Sequence, residues 1–338
     1  MTISKEVRLL RIALIVMWLA TTSAMVLLLL QGVRRLDQFS VLYYVLPGIY
    51  TLALVCYLWR TGPSMNALPE IRSPIFPQRQ FGRIIPAAII ALIFVLHFFS
   101  ELGESILLHV IIVAAIWIIL AWWRNISVRL LITGFLLATI AFAGGYLYFK
   151  HGFISSTAFF LLVGLSPLMV IAGGLLINRT GLDNFALLSG SYGKALKSFL
   201  WGCLLFVPLG LTNAASGSPG GDLNWLTSWW MPFSLPLYSG IVEEVLYRLL
   251  LVSLCYFMLR PAFRRYSQIA MMGAVLFSAV TFGLGHGLSL HNFLTTGLLY
   301  GLPMAVIFAR RDWEHAVGTH YMVNFIPVAI VFLETISP

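Results

Sequence analysis

The segment PFSLPLYSGIVEEVLYRLLLVSLCYFML (residues 232–259) is apolar and longer than the roughly 20 residues that a helix needs to cross a lipid bilayer. It nevertheless contains three charged side chains near its middle, Glu243, Glu244 and Arg248. A charged group at the centre of a bilayer costs about 2.5–3.5 kcal/mol on insertion scales, so such groups usually mark a function and pair with one another. The segment therefore predicts a membrane helix that carries a functional site.

Apolar runs of similar length recur along the whole chain. Of its 338 residues, 60% are hydrophobic and only 10% are charged. The runs cover residues 12–30, 41–59, 84–100, 106–123, 130–149, 157–177, 198–215, 232–259, 269–285, 290–309 and 315–336. They lack the period-two alternation of a barrel strand, and a lipid-exposed chain must otherwise be helical. We expect an all-α, polytopic membrane helix bundle of about eleven transmembrane helices without a sizeable soluble domain.

Basic residues are distributed unequally between the two sides of this predicted bundle. If the N-terminus is cytoplasmic, 17 of the 21 Lys and Arg residues fall on the inner side and three on the outer side. This asymmetry follows the positive-inside rule. The size of the chain and its loops are typical of proteins of the bacterial cell membrane. Because the basic residues are scattered through short loops, the net charge of +9 does not indicate a nucleic-acid partner. The expected partners are the lipid bilayer and a membrane-associated protein or peptide.

Polar groups inside the spans are concentrated toward the C-terminus. Residues 1–194 contain about six predicted membrane helices that are almost bare of such groups, and their role is unassigned. Residues 195–338 contain nearly all of the polar groups and form the predicted functional core. The three cysteines lie inside apolar runs without metal-ligand spacing, which argues against disulfides and a thiolate zinc site.

Helical spacing separates the roles of the two adjacent glutamates. Glu244 and Arg248 are four residues apart, so they share one helix face and can pair. Glu243 points about 100° away from that face and is free to line a polar cavity. A buried ion-pair cluster that holds helices together, or a proton-relay or transport site, are alternative interpretations.

Two later spans supply further polar groups. FGLGH places Phe282 and His286 four residues apart, and HYMVN places His320 and Asn324 at the same spacing. Each pair alone is compatible with a structural role. Together with the carboxylates and the arginine, these groups are the parts needed to activate a water and stabilise an oxyanion.

The order of these motifs resembles the CPBP family, which comprises the type II CAAX prenyl endopeptidases and the bacteriocin-processing or "Abi" intramembrane proteases. The resemblance covers roughly residues 195–336. The matching positions are Glu243, Glu244, Arg248, Phe282, His286, His320 and Asn324. The resemblance implies a glutamate-dependent intramembrane endopeptidase that cleaves a peptide bond in or next to the bilayer.

Family analogy also implies a role for each polar residue. Glu243 would be the general base that acts on the attacking water with His286. His320 and Asn324 would form the oxyanion hole, while Glu244 and Arg248 would support Glu243. Phe282 is expected to pack and not to react.

The resemblance favours a site without a cofactor. Two histidines and a glutamate are compatible with zinc ligation, but the chain has no HExxH motif. Substrates could be a CAAX-type tail, a leader peptide or a bacteriocin precursor. The rival interpretation is a non-enzymatic bacteriocin-immunity factor or scaffold that retains the motif for folding.

The predicted spans create a geometric difficulty. At 1.5 Å per residue, Glu244 lies ~18 Å into its span, whereas straight helices would place His286 near the outer surface and His320 nearer the inner one. We therefore expect either a break or tilt near Gly283, Gly285 and Gly287, or different bounds for the ninth and tenth spans.

Overall fold

The computed structural model describes residues 5–30, 40–63, 103–152, 156–182, 185–216, 225–263 and 266–336. Within these ranges the backbone forms helices joined by turns, without a strand. The helices are α1 (Lys5–Leu30), α2 (Ser40–Thr61), α3 (Gly103–Trp122), α4 (Val128–Lys150), α5 (Ser156–Thr180), α6 (Tyr192–Ala215), α7 (Met231–Glu244, Val245–Val252 and Ser253–Leu259), α8 (Ser267–Leu284), α9 (Leu290–Asn292, Phe293–Gly301 and Leu302–Arg310) and α10 (Trp313–Ile336). The middle segments of α7 and α9 are π-helical. The all-α prediction is confirmed.

Ten of the predicted apolar runs coincide with these helices, and the run at 84–100 lies outside the described residues. In the described part of the chain, seven helices are long and apolar enough to cross a membrane. The chain is therefore an integral membrane protein. The cytoplasmic N-terminus, the bacterial membrane and the division at residue 194 stay predictions.

Helix α7 lies in the interior of the bundle. It packs against α4, α5, α8 and α10, and the apolar side chains around its charged residues are fully buried. Val245, Leu249 and Leu250 have no exposed surface. This packing encloses the charged stretch of α7 in a low-dielectric environment, where each charge needs a partner.

Helices α6 and α10 make close backbone contact through glycine. A Cβ atom at Gly202 would overlap the carbonyl oxygen of His315, and one at Gly318 would overlap that of Phe199. Because only glycine permits this approach, α10 is fixed against α6 along the turns just before His320.

Asp312 fixes the start of α10. Its carboxylate accepts hydrogen bonds from the backbone N–H of His315 at 2.9 Å and from the Ser198 hydroxyl at 2.8 Å. Burial alone would raise the pKa of the Asp312 carboxyl. Hydrogen bonds from His315 and Ser198 lower this pKa by more than burial raises it, so the pKa lies below its ordinary value. An ionised Asp312 therefore caps α10 and ties it to α6.

The turn between α9 and α10 explains why the predicted depth of His320 is wrong. Asp312 and Trp313 are buried, so α10 starts inside the protein and not at its surface. Measured from the exposed α7–α8 turn, Glu243 lies about 24 Å along α7 and His286 about 28 Å along α8. The helices therefore bring these residues together, and the bounds of the ninth and tenth spans agree with the prediction to within two residues.

We expect Gly318→Ala to destabilise the protein by about 1–3 kcal/mol, because the new methyl group overlaps the backbone of α6. Gly193→Ala is the matched control, since its Cβ meets no atom of the described residues within 4 Å. The control should be neutral or slightly stabilising. Thermal unfolding of both variants in detergent micelles tests this packing, and equal stabilities would contradict it.

Candidate active site

Glu243 of α7 lies between two histidines from other helices. Its Oε2 atom is 3.7 Å from Nε2 of His286 and 3.7 Å from Nε2 of His320. The Glu243 side chain is 27% exposed and that of His286 is 42% exposed, whereas His320 is buried. One carboxylate oxygen therefore faces two imidazole nitrogens at the edge of the buried interior.

Glu244 has a different environment from its neighbour. It is fully buried, and its Oε1 atom lies 2.8 Å from Nδ1 of His320 and 3.3 Å from Nη1 of Arg248. An ionised carboxylate can only accept hydrogen bonds. Nδ1 of His320 therefore carries a hydrogen and donates a hydrogen bond to Glu244. This bond orients His320 so that its Nε2 atom faces Glu243.

Arg248 compensates the buried charge of Glu244. The predicted i, i+4 pair is present, and neither side chain has exposed surface. The Nη2 atom also donates to the carbonyl oxygen of Gly301 in α9 at 3.3 Å. The guanidinium lies 4.2 Å from the centroid of the Phe282 ring, in a cation–π contact. Arg248 thus links α7, α8 and α9 around a single carboxylate.

Phe282 is the packing centre of the site, as predicted. Its ring makes edge-on contacts with His286 at 4.9 Å and with His320 at 5.6 Å between centroids. The ring of Tyr247 meets it in the same way at 5.2 Å. Phe282 therefore packs against both imidazoles and against the ring of Tyr247.

His286 lies on the turn that follows α8. Its Nδ1 atom is 2.8 Å from the carbonyl oxygen of Phe282, which leaves Nε2 to face Glu243. The Asn292 amide donates to the carbonyl oxygens of His286 and Gly287 at 2.8 and 3.0 Å. Gly287 has a φ of +120°, which favours glycine. Asn292 therefore stabilises the turn, a role that the sequence motifs did not predict.

Asn324 lies one helical turn beyond His320, and among the described residues its hydrogen bond goes to neither glutamate. Its Nδ2 atom donates to the Ser239 hydroxyl at 2.7 Å. Ser239 precedes Glu243 by four residues, so it occupies the same face of α7. The spacing to Glu243 could have pointed to Ser239, which sequence reasoning missed.

Two tyrosines near Glu243 were also missed. Tyr148 of α4 and Tyr238 of α7 have ring centroids 6.2 Å apart, and Tyr238 precedes Glu243 by five residues on α7. No local pattern connects Tyr148 to the site, because its contact joins residues far apart in sequence. The predicted N-terminal region thus supplies a side chain near the predicted catalytic residue.

The structure brings the predicted site residues into one cluster, with Asn324 on the adjoining turn. Among the described residues, no group of three or more His, Cys, Asp or Glu side chains has an arrangement suited to holding a metal ion. The site places a carboxylate beside two oriented imidazoles, and this arrangement suits proton transfer.

Comparison with known proteins identifies a family for this region. Residues 225–326 match the family described as type II CAAX prenyl endopeptidase Rce1-like. The match covers less than a third of the chain and includes every predicted site residue. It confirms the resemblance inferred from the motifs and indicates an intramembrane protease. Neither a curated protein nor a solved structure matches the chain.

We expect Arg248→Ala to destabilise the fold by about 3–5 kcal/mol, because it leaves the Glu244 carboxylate buried without its cation. Glu243→Gln should change stability little, since this side chain is partly exposed and has no direct ion pair within hydrogen-bond distance. Unfolding of the purified variants in detergent micelles measures the difference.

The double variant Arg248→Ala/Glu244→Gln is the control for charge. It should recover part of the lost stability, because the glutamine carries no charge to be left unpaired. A single Arg248→Ala variant as stable as the native chain would contradict this account of the buried pair.

Proposed function

We propose that this membrane protein is an endopeptidase that hydrolyses a peptide bond in or near the bilayer, with Glu243 as general base. The observation that carries the proposal is the position of Glu243 Oε2, 3.7 Å from Nε2 of both His286 and His320. The Nδ1 atoms of both imidazoles are already engaged by Phe282 and Glu244. Both reactive nitrogens are therefore directed at the same carboxylate oxygen.

In the proposed reaction, Glu243 and His286 bind the attacking water between them. Glu243 takes a proton from this water, whose oxygen then attacks the carbonyl carbon of the scissile bond. The carbonyl electrons move to oxygen and form a tetrahedral oxyanion. When the oxyanion collapses, the carbon–nitrogen bond breaks and Glu243 returns the proton to the leaving amine.

His320 and Asn324 are the proposed oxyanion donors. Nδ1 of His320 donates to Glu244, so Nε2 can donate to the oxyanion only when the ring is the imidazolium. Asn324 uses one amide hydrogen for Ser239 and has a second one for the oxyanion.

The matched family suggests the class of substrate. Its description names a CAAX prenyl endopeptidase, and we propose CAAX-type tails, leader peptides and bacteriocin precursors as substrates of this chain. The proposed mechanism uses no cofactor, because the carboxylate and two imidazoles can perform each proton transfer.

A non-enzymatic scaffold or immunity protein remains the rival proposal. The full burial of Glu244 and Arg248 agrees with such a role, since this pair holds helices together. The partial exposure of the Glu243 and His286 side chains supports hydrolysis instead, because a purely structural cluster gains nothing from side chains that reach the protein surface.

The first test compares peptides from cells that express the native chain, Glu243→Gln or Glu334→Gln at matched levels. Mass spectrometry of membrane and released peptides should detect fragments that vanish with Glu243→Gln, because glutamine cannot accept the proton from water. Glu334 lies at the C-terminal end of α10, away from the site, so Glu334→Gln should retain the fragments. If no fragment depends on Glu243, the scaffold proposal replaces hydrolysis.

The proposal that the mechanism uses no metal ion is tested on the purified protein. With a synthetic peptide that spans the identified cleavage junction, dialysis against EDTA and 1,10-phenanthroline should leave kcat/KM unchanged. Loss of activity on chelation, followed by recovery on addition of Zn²⁺, would instead make Glu243, His286 and His320 metal ligands.

A further inference from the structure

Tyr238 is a buried residue whose hydroxyl group lacks a partner. The side chain is 6% exposed, and its oxygen makes no hydrogen bond to any of the described residues. An unsatisfied buried hydroxyl lowers the stability of the fold, so its presence needs an explanation. Phenylalanine would fill the same space without the penalty.

The N-terminal helices hold the Tyr238 ring in place. It packs at 6.1 Å from the Phe159 ring of α5 and at 6.2 Å from the Tyr148 ring of α4. Gly145 of α4 lies against the ring so closely that a Cβ atom there would overlap it. The ring therefore occupies a slot that α4 and α5 shape for it.

The slot places Tyr238 beside the proposed general base. Tyr238 precedes Glu243 by five residues, which is about 7.5 Å along the axis of α7. Glu243 Oε2 is likewise buried without a hydrogen bond from the described residues. The region thus contains an unused donor and an unused acceptor that do not bond to each other. A peptide group, which has a carbonyl acceptor and an N–H donor, complements both.

We propose that Tyr238 binds the peptide substrate by donating a hydrogen bond from its hydroxyl to a backbone carbonyl oxygen next to the scissile bond. This inference rests on the proposed function and deepens it. Helices α4 and α5 of the N-terminal region are then part of the substrate site.

Tyr256 provides a matched comparison on the same helix. It is fully buried, and its hydroxyl also lacks a hydrogen bond from the described residues. Its ring faces Arg260 at 5.7 Å, and it lies about 20 Å along α7 from Glu243. Burial of an unpaired hydroxyl is therefore common to both tyrosines, and proximity to Glu243 is what distinguishes Tyr238.

The decisive experiment measures Tyr238→Phe, Tyr256→Phe and Glu243→Gln in the purified full chain with the synthetic junction peptide. Tyr238→Phe should lower kcat/KM at least tenfold without lowering the thermal unfolding temperature, since it removes a hydroxyl that the fold does not use. Tyr256→Phe should keep the native kcat/KM. Native kcat/KM in Tyr238→Phe would overturn the inference, whereas activity in Glu243→Gln would overturn the proposed function itself.

A second variant tests the role of the N-terminal helices. Gly145→Ala should displace the Tyr238 ring and lower kcat/KM, with no further loss when it is combined with Tyr238→Phe. Gly164→Ala in α5, whose Cβ meets no described atom within 4 Å, is the control. If the fall in kcat/KM of the double variant equals the product of the falls in the two single variants, the result would contradict the proposed coupling.

Discussion

The arrangement of the site depends on one fully buried carboxylate, that of Glu244. A bare charge at this depth would be strongly destabilising, so the chain must bring partners to it. Arg248 arrives from the next turn of the same helix, and His320 arrives from α10. These bonds fix the position of α10 relative to α7 and determine which nitrogen of His320 carries a proton. The orientation of His320 toward Glu243 is a consequence of satisfying Glu244.

Adjacent glutamates acquire different properties because a helix rotates by about 100° at each residue. Glu244 turns into the bundle, where its charge serves structure, and Glu243 turns toward the histidines at a partly exposed edge. The π-helical segment of α7 begins directly after this pair. Such segments are frequent at functional sites, since the wider turn alters the register of the side chains that follow. The i, i+4 pairing of Glu244 and Arg248 persists across this change of geometry.

Sequence reasoning predicted features that depend on local periodicity. The helical class, most span bounds and the Glu244–Arg248 pair follow from apolar length and from spacing along one helix. It failed where depth and orientation depend on tertiary packing. The recessed start of α10 at Asp312 places His320 deeper than a surface turn would allow. No spacing rule predicts that His320 bonds to Glu244, because α7 and α10 are separated by two intervening helices in sequence.

The N-terminal helices contribute to the geometry of the site in a way that their composition did not indicate. Inside the predicted spans they carry almost no charged groups, and a search for polar motifs therefore assigns them no part in the site. Yet α4 meets α7 through glycine, and close backbone approach of this kind positions whatever side chains α7 presents nearby. A helix whose charged residues lie only at its two ends can thus determine the geometry of a charged cluster in a neighbouring helix through shape alone.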